Sequence, residues 1–216
     1  MSIINHYLNR DLFFKFIRSS ELSLFFIHLL TSIIYLNKKS LFITIGIILN
    51  GLTNLILKNN ISKPLFKLNN HSLLILGKGT RPDDAHDCGY FSNCPKRKAI
   101  SYGMPSGHSQ FAAFYSSFLI KDLIYKYSPD KKFNTLPRRY KISAMILLAY
   151  PLIMMYSRIY IEKCHTIEQT IIGAMIGFYF GIKWHNIYTK YNDNLNINSN
   201  KTRMILVILL FLVTTV

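Results

Sequence analysis

Charged residues are scarce in this sequence, and acidic residues are the scarcest of them. Only 17% of the 216 residues are charged, whereas 50% are hydrophobic, and ordinary soluble domains carry roughly 25% charged residues. The apolar residues also cluster in blocks along the chain. This composition excludes an ordinary water-soluble globule and favours segments that lie in lipid.

The shortage of acidic residues leaves a large positive charge. Asp and Glu number 10 against 26 Lys and Arg, which gives a formal net charge of +16. A basic balance can indicate nucleic-acid binding, but no groove-reading motif accompanies it here. The cations lie between apolar blocks, as membrane-flanking charges do. We therefore expect no nucleic-acid partner, and we expect a membrane protein with an anionic substrate.

Cysteine is scarce too, with only Cys88, Cys94 and Cys164. Three cysteines cannot form a disulfide framework, and their spacing does not match a zinc site. Cys88 and Cys94 could pair with each other or remain free. The first 21 residues lack a long apolar core and a small-residue cleavage site, so we expect no removable signal peptide.

Six apolar blocks are candidate membrane helices. They lie at about 22–36, 41–57, 105–125, 142–157, 166–184 and 204–216. Several fall short of the roughly 20 residues that a span prefers, a deficit that neighbouring helices and flanking Lys or Tyr can cover. No repeat or linker divides the chain. The prediction is an all-α, polytopic membrane helical bundle of about six spans, in one integral-membrane domain over residues 1–216.

Two polar segments fall on the same membrane face if the chain crosses six times. They are the loop at 58–104 and the short segment at 158–165. Loop parity therefore predicts one site, built from both segments at one end of the bundle. Ionisable residues at such positions are functional candidates, because bilayers penalise them.

The third apolar block opens with YGMPSGHSQF, residues 102–111. Pro105 suits the first position of a helix, and Ser106 and Gly107 leave backbone N–H groups open at the helix start, where anions bind. His108 follows in the same turn, placed to exchange a proton. Taken alone, these residues could also be a helix cap with a stray histidine.

Two other polar clusters supply cations. The first is KGTRPDD, residues 78–84, and the second is YSRIYIEKCHTIEQ, residues 156–169. Arg81 belongs to the first cluster and Arg158 to the second. An arginine offers a planar fork that suits phosphate, so both are candidates for binding an anion.

The second of these clusters also contains a histidine with a candidate partner. His165 stands at the start of the fifth apolar block. Glu168 and Gln169 follow three and four residues later, on the same helical face. Either side chain can accept the ring N–H and hold the other nitrogen toward a substrate.

The three clusters, in this order, resemble the three signatures of the type 2 phosphatidic acid phosphatase superfamily. Those signatures are a lysine, six residues and Arg-Pro; then Pro-Ser-Gly-His; then Ser-Arg, five residues, His, three residues and Asp. The resemblance covers residues 58–169, and the second and third clusters are most similar to the dolichyl diphosphatase branch. One Pro-Ser-Gly-His alone would be weak support, whereas the ordered set is specific.

The resemblance implies a role for each matching residue. His165 matches the nucleophile that forms a phosphohistidine intermediate, and His108 matches the general acid that protonates the leaving oxygen. The residues that match the phosphate cradle are Arg81, Arg158, Ser106 and Gly107. Neither a metal nor a cofactor is implied, because arginines and helix N–H groups stabilise the charge that develops on phosphate.

Two departures from the family pattern concern the nucleophile. Six residues, not five, separate Arg158 from His165, so the connection must bulge before the helix. Gln169 stands where the family usually has Asp. A Gln carbonyl can orient the histidine without stabilising its charge, so the sequence predicts that Gln169→Asp holds or raises the rate. Glu168 is the alternative partner.

A third departure concerns the lysine of the first signature. The residue seven positions before Arg81 is Leu74. Lys58, at the end of the second block, could supply the lysine if an insertion separates it from Arg81, and Lys78 is the local alternative. Both are candidates for binding the substrate phosphate.

The sequence thus predicts a metal-independent phosphatase or diphosphatase that acts on a lipid phosphate, with a polyprenyl (dolichyl-type) diphosphate as first choice. A phosphatidate-type lipid monophosphate presents the same phosphoryl group and is the alternative substrate. A catalytically weak, lipid-binding membrane protein of the same fold is the alternative from another class. Soluble vanadate-dependent haloperoxidases share the signatures but are not built from apolar spans. The sequence makes no prediction of oligomeric state.

The distribution of Lys and Arg bears on the side of the membrane that the site faces. They divide evenly between the two faces, and the opposite face carries the excess once Arg81, Arg158 and one substrate lysine are set aside. We therefore predict a multi-pass integral membrane protein whose active site is lumenal or extracytoplasmic, as in an endoplasmic reticulum membrane.

Overall fold

A computed structural model describes residues 2–68, 77–86, 88–89, 99 and 102–192 of the chain. Within these residues the chain forms no strand, and its α-helices are α1 Ser2–Ile34, α2 Lys38–Ile56, α3 Lys63–Leu68, α4 Gly107–Tyr127, α5 Arg138–Tyr156 and α6 Ile167–Tyr191. One isolated antiparallel bridge joins Thr80 to Tyr102. The predicted all-α fold is confirmed.

Among the residues that the structure describes, three helical segments are long and apolar enough to cross a membrane. They are Leu12–Ile34, Lys38–Phe66 and Arg138–Ile161. These segments contain the first, second and fourth apolar blocks of the sequence, and the third and fifth blocks form α4 and α6. The block at 204–216 lies outside the described residues. The fold is a helical membrane fold, and the count of six spans stays a prediction.

Helix α4 lies at the centre of the bundle, since it packs against α1, α2, α5 and α6. Its aromatic residues Phe111, Phe114 and Phe118 are buried, and so are the polar residues Ser109 and Gln110. Polar side chains are tolerated there because protein, not lipid, surrounds the helix. The start of this central helix, which carries the second signature, is therefore enclosed by the other helices at one end of the bundle.

Helix α6 approaches α4 through a stripe of glycines spaced four residues apart. The three are Gly173, Gly177 and Gly181. A Cβ at these positions would clash with the backbone carbonyl oxygens of Ser106, Gln110 and Phe114 in turn. Small residues at this spacing let two helix backbones come close in a membrane bundle. The contact brings the start of α6 beside the start of α4.

We expect Gly177→Ala to destabilise the fold by about 1–3 kcal/mol, the usual cost of overpacking a close contact, because the added methyl group meets the Gln110 carbonyl. Gly51→Ala in α2 is the matched control, since nothing lies within 4 Å of a Cβ there. The control should be neutral or slightly stabilising. Thermal unfolding in detergent measures both, and equal midpoints would contradict the close approach of α4 and α6.

Candidate active site

One end of the bundle carries two π-helical turns, each at the end of a long helix. The first, Leu57–Ser62, follows α2, and the second, Ser157–Ile161, follows α5. They contain the two candidate cations Lys58 and Arg158. Such wider turns are frequent at functional sites. These two turns meet the starts of α4 and α6. The described part of the 77–89 loop lies at the same end of the bundle.

The imidazole of His165 is held by Gln169. Nδ1 of His165 lies 3.0 Å from Oε1 of Gln169. The amide Nε2 of Gln169 donates to the carbonyl oxygens of Lys78 and Thr80, at 2.8 Å each. Because both amide hydrogens are used in this way, Oε1 accepts, and Nδ1 of the ring carries the proton. The other ring nitrogen, Nε2, is then the one with a lone pair.

Arg81 lies against that second nitrogen. Its Nη1 is 3.1 Å from Nε2 of His165 and also donates to the carbonyl oxygen of Cys164 at 2.9 Å. A guanidinium always donates, so Nε2 is the acceptor. A phosphoryl group within reach of Nε2 would therefore also lie within reach of this arginine.

Arg158 is buried, with 1% of its surface exposed. Its Nη1 pairs with the carboxylate of Glu162, and its Nη2 donates to the carbonyl oxygen of Cys88 at 3.1 Å. Glu162 also lies 3.7 Å from Nε of Arg18 in α1. Arg158 is thus oriented by a carboxylate and a backbone carbonyl, a fixed geometry that suits recognition of an anion.

The two candidate lysines are placed differently. Lys58 lies close enough to Arg81 and Arg158 for their charges to interact. Lys78 has an exposed side chain, and what it gives the site is the backbone carbonyl that binds Gln169. The structure therefore brings Lys58 to the arginines. Leu74 lies outside the described residues.

The start of α4 meets the start of α6. Ser106 is fully buried and caps α4, and its backbone N–H donates to the carbonyl oxygen of Gln169 at 3.0 Å. Gly107 is the first residue of the helix, and a Cβ there would lie 3.3 Å from Oδ1 of Asn54. His108, buried in the first turn, interacts electrostatically with His165 and with the surrounding cations.

The two candidate partners of His165 are separated by the register of α6. Gln169 is fully buried against the ring. Glu168 is only partly buried, and its carboxylate lies near Gly77, where an added Cβ would be 3.3 Å from Oε2. Upstream of His165, the connection contains the π-helical turn Ser157–Ile161 and a left-handed φ of 49° at Lys163. The contact between His165 and Gln169, four residues apart, is the one that helical spacing predicts.

Burial and positive neighbours set the protonation of the site. Burial, followed by the charges of Arg158 and Arg81, holds the pKa of His165 well below its ordinary value, against the opposing effect of the Gln169 hydrogen bond. The ring is therefore neutral at physiological pH. Burial and Arg158 lower the pKa of Arg81 to about 10, so that group stays charged. A neutral imidazole beside cations favours an anionic ligand.

A disulfide joins Cys88 to Cys164. The sequence left Cys88 either paired with Cys94 or free, and both alternatives are wrong. Sequence spacing could not show the true pair, because the partners are 76 residues apart and meet only when the loop folds over the end of α5. Cys94 lies outside the described residues.

Sequence reasoning also missed a set of buried amides beneath the site. Nδ2 of Asn54 donates to Oε1 of Gln110 at 2.8 Å and to the carbonyl oxygen of Pro105 at 3.3 Å. Nε2 of Gln110 donates to the side chain and the backbone of Asn50, at 3.0 Å each. The available signal was two asparagines four residues apart in an apolar span. These bonds fix the start of α4 against α2.

Within the described residues, no group of three or more His, Cys, Asp or Glu side chains could hold a metal ion. The charged groups around His165 are instead the cations Arg81, Arg158 and Lys58. This donor set is suited to holding the oxygens of a phosphoryl group.

Comparison with known proteins identifies the family of the chain. The family model of the PAP2 superfamily matches residues 39–193, a range that contains every predicted site residue. Human dolichyldiphosphatase 1 is 39% identical over 85 residues, which are 38% of this chain and 35% of the human protein. The mouse protein of the same name is 38% identical over 85 residues, with the same shares of each chain covered.

A longer relative comes from Schizosaccharomyces pombe. Its palmitoyl-protein thioesterase-dolichyl pyrophosphate phosphatase fusion 1 is 37% identical over 86 residues, 39% of this chain and 13% of that protein. The chain thus matches about a third or less of the length of these relatives. No solved structure matches the chain. Because the family model covers most of the sequence, including all three signature clusters, the chain belongs to the PAP2 superfamily.

Proposed function

We propose that the chain is an integral-membrane lipid phosphatase that hydrolyses a polyprenyl diphosphate of the dolichyl type through a phosphohistidine intermediate. The observation that carries this proposal is the line of contacts from Gln169 through His165 to Arg81. The amide oxygen fixes one ring nitrogen, and the guanidinium lies at the other. A nucleophile oriented by one group and set beside an anion-binding group is the arrangement that covalent catalysis requires.

In the first step, Nε2 of His165 attacks the terminal phosphorus. The N–P bond forms as the bond from phosphorus to the leaving oxygen breaks, and His108 gives its proton to that oxygen. Arg81, Arg158 and the N–H groups at the start of α4 bind the equatorial oxygens, where negative charge is spread in the transition state. Gln169 keeps Nδ1 protonated and the ring in place throughout.

In the second step, water replaces the histidine. His108, now neutral, takes a proton from a water molecule, and the water oxygen attacks phosphorus. The N–P bond breaks, inorganic phosphate leaves, and His165 returns to its neutral form. His108 is again protonated for the next turnover, so protons balance over the cycle.

The proposed substrate class rests on the relatives and on the apolar helices. The relatives that the chain matches are named for dolichyl diphosphate hydrolysis. Helices that can cross a bilayer would let the lipid tail stay in the membrane while the phosphate enters the end of the bundle. A phosphatidate-type monophosphate presents the same phosphoryl group and remains the alternative substrate.

We propose further that the protein is multi-pass and that the site faces the lumen or the outside of the cell. The Cys88–Cys164 disulfide lies at the site end of the bundle. Disulfides persist in oxidising compartments and are rare in the cytosol. With six spans, and with Arg81, Arg158 and one substrate lysine set aside, the remaining basic residues are more numerous on the opposite face, which supports the same orientation.

The test is phosphate release by the purified protein in detergent. We expect release from dolichyl diphosphate faster than from phosphatidate, and equal rates in EDTA and in magnesium, because arginines rather than a metal bind the phosphate. Faster release from phosphatidate would favour the alternative substrate. Loss of activity in EDTA that magnesium restores would contradict the metal-independent mechanism. Absence of phosphate release from either lipid would favour the alternative of a lipid-binding protein without phosphatase activity.

A further inference from the structure

The Cys88–Cys164 disulfide lies between the two arginines of the site. Cys164 immediately precedes His165, and Cys88 belongs to the loop that carries Arg81. Both half-cystines are buried, with Cys164 fully so. The disulfide therefore ties the loop of the first signature to the connection that leads into the nucleophile.

Each arginine is bound by the backbone of the half-cystine on the other segment. Nη1 of Arg81, in the loop, donates to the carbonyl oxygen of Cys164 at 2.9 Å. Nη2 of Arg158, at the end of α5, donates to the carbonyl oxygen of Cys88 at 3.1 Å. Both hydrogen bonds join the loop to the segment that follows α5, and the disulfide links the same two segments covalently.

The segment on the α5 side is also closed upon itself. The backbone N–H groups of Cys164 and His165 both donate to the carbonyl oxygen of Arg158, at 2.9 and 3.3 Å. A displacement of Cys164 therefore also moves His165. It moves the carbonyl oxygens of Cys164 and Cys88 as well, which accept from the two guanidinium groups. The described part of the 77–89 loop contains no helix, and its regular structure is limited to isolated bridge residues such as Thr80, which pairs with Tyr102.

We propose that Cys88 and Cys164 are positioning residues for the phosphate cradle, and that their disulfide sets the two carbonyl oxygens that aim Arg81 and Arg158. The inference rests on the proposed phosphatase function, whose cradle it describes. Binding of a phosphoryl group depends on guanidinium groups held in fixed geometry before the ligand arrives. Breaking the disulfide leaves both arginines present but no longer aimed.

A disulfide that only stabilises the fold would affect stability and not anion affinity. Loss of such a disulfide lowers the stability of the folded state and leaves the affinity of the remaining folded protein for anions unchanged. Loss of a positioning bond lowers that affinity in the folded protein itself. Orthovanadate, an inorganic analogue of phosphate in transfer, reports the affinity of the cradle without requiring turnover.

The experiment compares the purified full chain, the Cys88→Ser/Cys164→Ser double variant and wild type treated with dithiothreitol after folding. Cys94→Ser is the matched control, because it removes the third thiol alone. We expect the vanadate Kd to rise at least tenfold on loss of the disulfide and the KM for lipid phosphate to rise with it. Cys94→Ser should stay within twofold of wild type. Reduction after folding keeps the test decisive if the double variant does not fold.

A double-mutant cycle separates positioning from general loosening. In an Arg158→Gln background, loss of the disulfide should raise the vanadate Kd less than threefold, because one of the two guanidinium groups that it aims is already gone. An equal rise in both backgrounds, or none in wild type, would overturn the proposal. Disulfide-dependent vanadate binding without phosphate release would refute the phosphatase function alone, whereas release that is indifferent to reduction would refute the positioning role alone.

Discussion

Replacing His165 by alanine should abolish covalent capture of phosphate and lower kcat/KM by about 10⁴-fold or more, the scale on which a catalytic nucleophile is lost. Nε2 of this ring is the nitrogen beside Arg81, and the alanine variant leaves no group to form the N–P bond. Trapping of labelled phosphate at alkaline pH, where phosphohistidine survives, measures the intermediate directly. His86→Ala is the control, since that histidine lies on the same loop as Arg81 and has an exposed side chain.

The companion variant His108→Ala should instead depend on the leaving group. An alkyl monophosphate expels an alkoxide that needs a proton, and loss of a general acid costs about 10² to 10⁴-fold there. Nitrophenyl phosphate and a lipid diphosphate expel weaker bases, so the loss in the rate of phosphohistidine formation should be far smaller. Phosphohistidine should still form, and its hydrolysis, in which His108 acts as the base, should slow for every substrate. Equal losses in the rate of phosphohistidine formation on all leaving groups, or labelled His165→Ala protein, would contradict the division of roles between the two histidines.

Gln169→Leu should lower kcat by about 10²-fold or more, on the order of losing the group that orients a catalytic base. The leucine keeps the volume but removes the acceptor at Nδ1 and leaves the carbonyls of Lys78 and Thr80 without the amide that now binds them. Steady-state kinetics with phosphoenzyme trapping measures the loss, which should fall on formation of the intermediate.

Acidic replacements at this position should also fail, contrary to the expectation from sequence alone. The sequence suggests that a carboxylate would stabilise the imidazolium and hold or raise the rate. In the structure, a carboxylate oxygen in Gln169→Glu would face two carbonyl oxygens that now receive amide hydrogens, and burying such an unpaired acceptor costs about 1–3 kcal/mol. The shorter Gln169→Asp would lose the same donors. We expect reduced rates from both.

The matched control is the neighbouring residue. Glu168→Gln should be nearly silent, because its side chain is only partly buried and Gln169 is the residue that binds Nδ1 of His165. A damaging Glu168→Gln with a silent Gln169→Leu would show that α6 is rotated by one residue relative to the structure. Full activity in Gln169→Leu and Glu168→Leu together would place the partner of His165 elsewhere in the 58–104 loop.

Features that depend on local chemistry and linear order could be predicted from the amino-acid sequence. Apolar blocks predict helices because lipid and a helical core demand the same apolar side chains, and the described blocks form α1, α2, α4, α5 and α6. Ser106 marks the start of α4 as its N-cap, whereas the expectation that Pro105 takes the first helical position is wrong, because the helix begins at Gly107. The ordered signatures identify the family, because each requires particular residue types at a short spacing.

The choice between residues that are equivalent in sequence depended on how distant segments pack together. Gln169 rather than Glu168 faces His165, because the glycine stripe of α6 packs on α4 and fixes the rotation of that helix. Lys58 rather than Lys78 joins the arginines, because a π-helical turn re-aims the end of α2. Cys88 pairs with Cys164 across 76 residues. These choices depend on contacts between distant segments, whose distances no local spacing encodes.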